Sequence, residues 1–198
     1  MLWKSSKPTV VFAAIAISTL LVGCATGRYD GTRPPDPTKA IIVGSITEAF
    51  LTQPHGLKVH IRKVGERYTT VLLATLNAED DQPSLNLRGN LFMYEVPEGS
   101  YEIYKWNYIY YDGETAPRAN PVIFSVKAGE TAYIGDFYAN ALTFCLSSVN
   151  NAETTIATLK HKYPVLNGRT VQNLTPRTTL HPWPNSDARD NGNGLCKI

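Results

Sequence analysis

Leu57-Lys58-Val59-His60-Ile61-Arg62 is the stretch on which the fold turns. Leucine, valine and isoleucine alternate with lysine, histidine and arginine, a period of two that gives an extended chain one apolar and one wet face. Such a run is a strand whose sheet meets a core on one side and water on the other. Outward from it, short runs rich in β-branched and aromatic residues fill the chain from Lys39 onward. Residues 40–50 form a first strand with Ile41, Val43 and Ile46 as core candidates, residues 68–76 read as a central strand, and residues 91–96 follow. Pro97-Glu98-Gly99 then turns the chain into an aromatic strand over residues 101–111. Residues 121–126 alternate again, Lys127-Ala128-Gly129-Glu130 makes a tight turn, and residues 131–138 return beside them as a hairpin. Residues 141–149 are the last strand, so the pattern predicts an all-β fold, an antiparallel β-sandwich of about seven to eight strands.

One helix follows the strands. Asn150 can cap it with Glu153 three positions on, and Ile156, Leu159 and Tyr163 share one face until Pro164 ends it. Residues 39–166 thus make the domain with its C-terminal helix, and residues 167–198 read as an irregular tail. The acidic segment 77–83 reads as a solvated turn.

The N-terminus carries a different signal. Lys4 and Lys7 precede an apolar run over residues 10–22, which closes in Leu21-Val22-Gly23-Cys24. As a helix that run would be roughly 20 Å long, too short for a bilayer core of about 30 Å. Residues 1–23 are therefore expected to be a signal peptide, and the box resembles that of bacterial lipoproteins, with the Cys24 thiol taking a diacylglycerol and its freed amine a further chain. Each buried methylene adds about 0.8 kcal/mol, so acyl chains alone hold such a protein on a membrane. Ala25 stands where an aspartate would favour inner-membrane retention, which points to the periplasmic face of the outer membrane, with the cell surface as the other orientation. Residues 24–38, with Pro34, Pro35 and Pro37, read as the lipidated cysteine and a flexible tether reaching about 45 Å at most.

Charge and cysteines bound the partners. Losing Lys4 and Lys7 brings the 19 basic side chains of the 198-residue chain level with its 17 acidic ones. That balance argues against nucleic acid, which would want a basic stripe. With Cys24 acylated, Cys145 and Cys196 are the remaining thiols, in a compartment where disulfides persist. Pairing them closes a loop of about 50 residues, which in the chain-entropy estimate is worth roughly 4 kcal/mol. The other reading leaves Cys145 buried in an apolar strand and Cys196 free.

Three motifs carry a resemblance: the turn and strand Val96-Pro97-Glu98-Gly99-Ser100-Tyr101-Glu102-Ile103, the unit Phe124-Ser125-Val126-Lys127-Ala128-Gly129-Glu130-Thr131-Ala132-Tyr133-Ile134-Gly135, and the ending Leu159-Lys160-His161-Lys162-Tyr163-Pro164. With the lipobox they resemble bacterial envelope lipoproteins bearing a domain similar to carboxypeptidase-regulatory and PEGA-like β-sandwiches. The resemblance implies a fold and a location, and no catalytic residues.

Several side chains have the chemistry of a site. Tyr104, Trp106, Tyr108 and Tyr110 fall on one face of a regular strand, where they could stack on a glycan such as peptidoglycan or grip an envelope protein. The competing reading puts those rings in the core or under the helix, and a bulge would change which of them share a face. Glu102 and Asp136 are the carboxylates that could pair for glycoside cleavage. His55, His60, His161 and His181 lack the spacing of a metal site, and no nucleophile motif is present. The expectation is a non-enzymatic accessory or protein-interaction module of the envelope, with no cofactor and no metal, and glycan binding as the alternative.

Overall fold

The computed structural model describes residues 26–76, 79–81, 84–111, 115, 120–185 and 195–196. The chain is mostly β, and its strands are β1 (Lys39–Ala49), β2 (Leu57–Lys63), β3 (Val71–Ala74), β4 (Leu87–Pro97), β5 (Gly99–Tyr108), β6 (Val122–Val126), β7 (Thr131–Asn140), β8 (Cys145–Val149), β9 (Val171–Asn173) and β10 (Trp183–Pro184). Helix α1 (Ala152–Lys162) follows β8, a 3-10 turn spans Pro164–Leu166, and the short α2 (Thr175–Thr178) lies between β9 and β10.

The strands form two sheets. One has six strands, in the order β10-β8-β7-β1-β4 with β9 also on β7, and the other has four, in the order β3-β2-β5-β6. A single apolar cluster joins Ile42, Ile46, Phe92 and Phe137 of the first to Val59, Ile61, Trp106 and Phe124 of the second. A second cluster lies on the far side of the six-stranded sheet, where Ile41, Val43, Met93 and Tyr133 meet Leu159 and Tyr163 of the helical segment. Strand β1 is thus buried on both faces, which is why its sequence is nearly continuous in apolar residues rather than alternating. Leu159 and Tyr163 face the sheet as their spacing predicts.

The pairing departs from expectation in several places. It is mixed rather than antiparallel throughout: β1–β7 and β7–β9 run parallel. The expected hairpin of β6 and β7 does not form, because the turn over residues 127–130 carries the chain from the four-stranded sheet, where β6 pairs with β5, to the six-stranded one. β3 is short and lies at a sheet edge, not in the centre. Of the segment after residue 166, residues 167–185 are built into the body, with Leu174, Leu180 and Trp183 buried and β9, α2 and β10 formed, so this part is not an irregular tail; residues 186–194 and 197–198 lie outside the described residues. Cys145 and Cys196 form a disulfide.

Close approach explains one glycine pair. The β1–β7 register slips at Val43/Gly44, where a Cβ on Gly44 would lie 2.2 Å from the Gly135 carbonyl oxygen and 2.6 Å from the Phe92 ring. Gly135 absorbs the bulge at φ 124°.

Candidate functional site

The N-terminal stretch, expected as a free tether, is a strap. Tyr29 is 4% exposed and packs in the outer apolar cluster with Met93 and Tyr163. Its amide donates to the Met93 carbonyl at 2.8 Å, and Arg28 forms a bridge with Tyr94, which covers part of the free edge of β4. Arg28 also donates to the Leu91 carbonyl and, at 3.2 Å, to the Tyr163 hydroxyl. Farther along, Arg33 forms a two-pronged ion pair with Glu95, whose Oε1 also accepts the Asp36 amide at 2.7 Å. At the other end the Thr26 amide donates to the Thr70 carbonyl at 2.6 Å. The 45 Å reach is therefore not realised from Thr26 onward, because side-chain and backbone bonds hold this segment to the sheets. Cys24 lies outside the described residues.

Glu95 makes the strap sensitive to acid. Burial pushes its carboxyl up, but the Arg33 hydrogen bonds, the Asp36 amide and the nearby charges of Arg33 and Lys39 outweigh it, leaving the group below its ordinary value. A carboxyl lowered in the fold contributes stability above its unfolded value of about 4.3, and the contribution is lost as pH falls through the folded one. The strap is expected to hold at neutral pH and loosen below about pH 4. In Glu95→Gln it should be loosened throughout, with the acid step gone. The Asp36 amide, followed by hydrogen exchange corrected for intrinsic rate, reports this, and equal protection at pH 7 and about pH 3 would refute it.

The aromatic strand does not present the expected ladder. Opposite β2 the register runs from His60↔Lys105 to Ile61↔Ile103, so Tyr104 is an extra residue and β5 bulges there. The side-chain parity reverses beyond the bulge. Tyr101, Ile103, Trp106 and Tyr108 are all fully buried between the sheets, which removes Trp106 and Tyr108 from any binding surface. The Trp106 indole donates to the Trp183 carbonyl at 3.0 Å, and burial pushes the Tyr108 phenol well above its ordinary value, with the charge of Glu48 adding to it. Tyr110 lies past the strand end and is 67% exposed. Of the four rings, Tyr104 remains on the outer face of the four-stranded sheet.

Around Tyr104 that outer face is polar and braced. Its hydroxyl is 2.5 Å from the Thr69 hydroxyl, the Arg62 guanidinium lies 4.3 Å from its ring centroid, and His60 meets it edge-on. His60 Nε2 is 2.9 Å from Asn107 Oδ1, and Arg62 Nε donates to Glu102 at 2.7 Å. Lys58 stands opposite Asn107, and Lys105 opposite His60.

The other candidate acids are not brought together. Glu102 points outward from the four-stranded sheet, whereas Asp136 lies on the helix side of the six-stranded one, so the apolar core separates them. Asp136 Oδ1 accepts from Ser45 at 2.8 Å and Oδ2 from Thr155 at 2.8 Å, in a groove of about 510 Å³ between β1, β7 and α1. These bonds pin α1 to the sheet. Glu48, fully buried, accepts from the amides of Gly56 and Leu57 and the hydroxyl of Thr75. Asp81, expected in a solvated turn, instead receives the Leu91 amide at 2.8 Å and pairs with Lys162 of α1. Among the described residues no group of three or more His, Cys, Asp or Glu is placed to hold a metal ion, and no helix is long and apolar enough to cross a membrane.

No family model matches the chain, and no curated protein or solved structure matches it.

Proposed function

We infer that the protein is a lipid-anchored, non-enzymatic interaction module of the bacterial envelope, a β-sandwich of the carboxypeptidase-regulatory or PEGA-like kind held at the periplasmic face of the outer membrane through Cys24. The observation that carries the reading is the placement of Leu21-Val22-Gly23-Cys24 immediately before a strap that is bonded to the body from Thr26 onward. An anchor cysteine at that point holds a rigid domain. Two sheets sharing one apolar cluster support the sandwich. The surface for a protein partner is the outer face of the four-stranded sheet, where Lys58, Arg62 and Lys105 outnumber Glu102 and favour an acidic contact. A glycan reading keeps Tyr104 on that face, with Trp106 and Tyr108 turned inward and Tyr110 past the strand end, and the guanidinium of Arg62 already stands over the Tyr104 ring.

The test is metabolic labelling with a fatty acid in cells expressing the full chain. Wild type is expected to take up label and fractionate with the outer membrane, while Cys24→Ala should do neither. Label that persists in Cys24→Ala would sink the reading. A photoreactive residue at Tyr104 should then capture a defined envelope protein, and the same residue at buried Trp106 should not.

A further inference from the structure

The strap fixes where the anchor leaves the body. Thr26, bonded to the Thr70 carbonyl, stands at the connection between β2 and β3. Ala25 alone lies between it and Cys24, and an advance of two positions along an extended chain spans about 7 Å. Acyl chains on Cys24 therefore enter the bilayer beside that connection, whatever path Ala25 takes.

The connection has the composition of a membrane-contact loop. Tyr68 is 66% exposed and Val64 46% exposed, although neither is needed by the core. Lys63 and Arg67 flank them, with the Arg67 guanidinium 5.9 Å from the Tyr68 ring centroid, and Glu66 is the single acid of the loop. The backbone is held in place: the Val64 amide donates to Ser100, the Glu66 amide to Lys63 and the Thr70 amide to Ile61. Tyrosine, with an apolar ring and a polar tip, concentrates at the headgroup level of membranes. Lysine and arginine near the surface gain from anionic headgroups.

We propose that residues 63–70 dock on the bilayer: Tyr68 and Val64 enter the headgroup layer while Lys63 and Arg67 meet lipid phosphates. This rests on the lipid anchor at Cys24. The bilayer is the occupant because the anchor brings it within the span of two residues, leaving no room for a protein between. Docking at this point gives the domain a fixed orientation, with the strand ends that carry the β2–β3 connection toward the membrane and the ends at the β7–β8 turn away from it.

The experiment uses the full lipidated chain, purified from membranes and reconstituted into vesicles of phosphatidylethanolamine with a minor share of phosphatidylglycerol, with or without bromine on the acyl chains. Bromine quenches only a nearby indole, and the native Trp106 and Trp183 are buried at 0% and 4% exposure. The Tyr68→Trp variant is expected to lose about half of its added emission in brominated vesicles, as an indole at the interface would. Leu142→Trp, in the turn between β7 and β8 at the opposite ends of the strands and 48% exposed in the native residue, should lose none. Flotation and the mass of the N-terminal peptide are read on the same samples. An acylated protein that floats while its Tyr68→Trp emission is unquenched overturns the docking loop and leaves the anchor standing. A Cys24 peptide without acyl mass, on protein that does not float, overturns both.

Discussion

Trp106→Ala is expected to lower the unfolding free energy by about 4 kcal/mol, a large part of the 5–15 kcal/mol that domains have. The indole is fully buried, meets Tyr108 edge to face with centroids 5.6 Å apart, and donates to the Trp183 carbonyl. Truncation removes the ring, leaves a cavity between the sheets and deletes the indole's hydrogen bond to the Trp183 carbonyl. Tyr104→Ala, on the outer face two residues before, should cost about 1 kcal/mol or less, since surface changes rarely cost more. Urea unfolding of the two variants checks the pair. Equal midpoints, or a Trp106→Ala protein that keeps its stability and loses a partner, would put the indole back on the surface.

Removing the disulfide is the second large effect. The bond joins Cys145 in β8 to Cys196, which are 51 residues apart, and β10 pairs with β8 at Pro184↔Cys145 within the closed loop. For a loop of that size the chain-entropy estimate is roughly 4 kcal/mol. A protein of this length melts about 2–4 °C lower for each kcal/mol lost, so Cys145→Ser/Cys196→Ser should melt roughly 10 °C below wild type. The tail should not detach wholesale, because Leu174, Leu180 and Trp183 remain buried among core residues. Calorimetry with and without reductant gives the answer. A wild-type melting temperature indifferent to a reductant that demonstrably breaks the bond would show that the link carries no stability.

The alternation of β2 and the spacing of α1 were legible because their side-chain patterns are regular and each meets one core. The Tyr104 bulge was not, since an inserted residue alters parity without altering composition. The turn over residues 127–130 can close a hairpin or pass between sheets with the same residues, and what decides is the strand that each flank finds: β5 for β6, and β1 for β7. The tail hid its order because Leu174, Leu180 and Trp183 are scattered among polar residues without a period. The strap hid in a proline-rich stretch, where the adjacent Arg28 and Tyr29 were the available signal: one aromatic body and one long donor, both spent on β4 and the helical layer.

Strand β1 occupies the middle of its sheet, between β4 and β7, and Ser45 at its heart is bonded to Asp136, 91 residues later. Synthesised from its N-terminus, the chain presents its central strand first and that strand's parallel neighbour much later. Long-range pairings of this kind form slowly. Until residues 131–140 follow, β1 has β4 as its one sheet neighbour, and the edge that β7 will cover, a nearly continuous apolar run, is open to misassociation. The order in which the strands are made thus leaves residues 39–49 as the segment exposed longest before its sheet is complete.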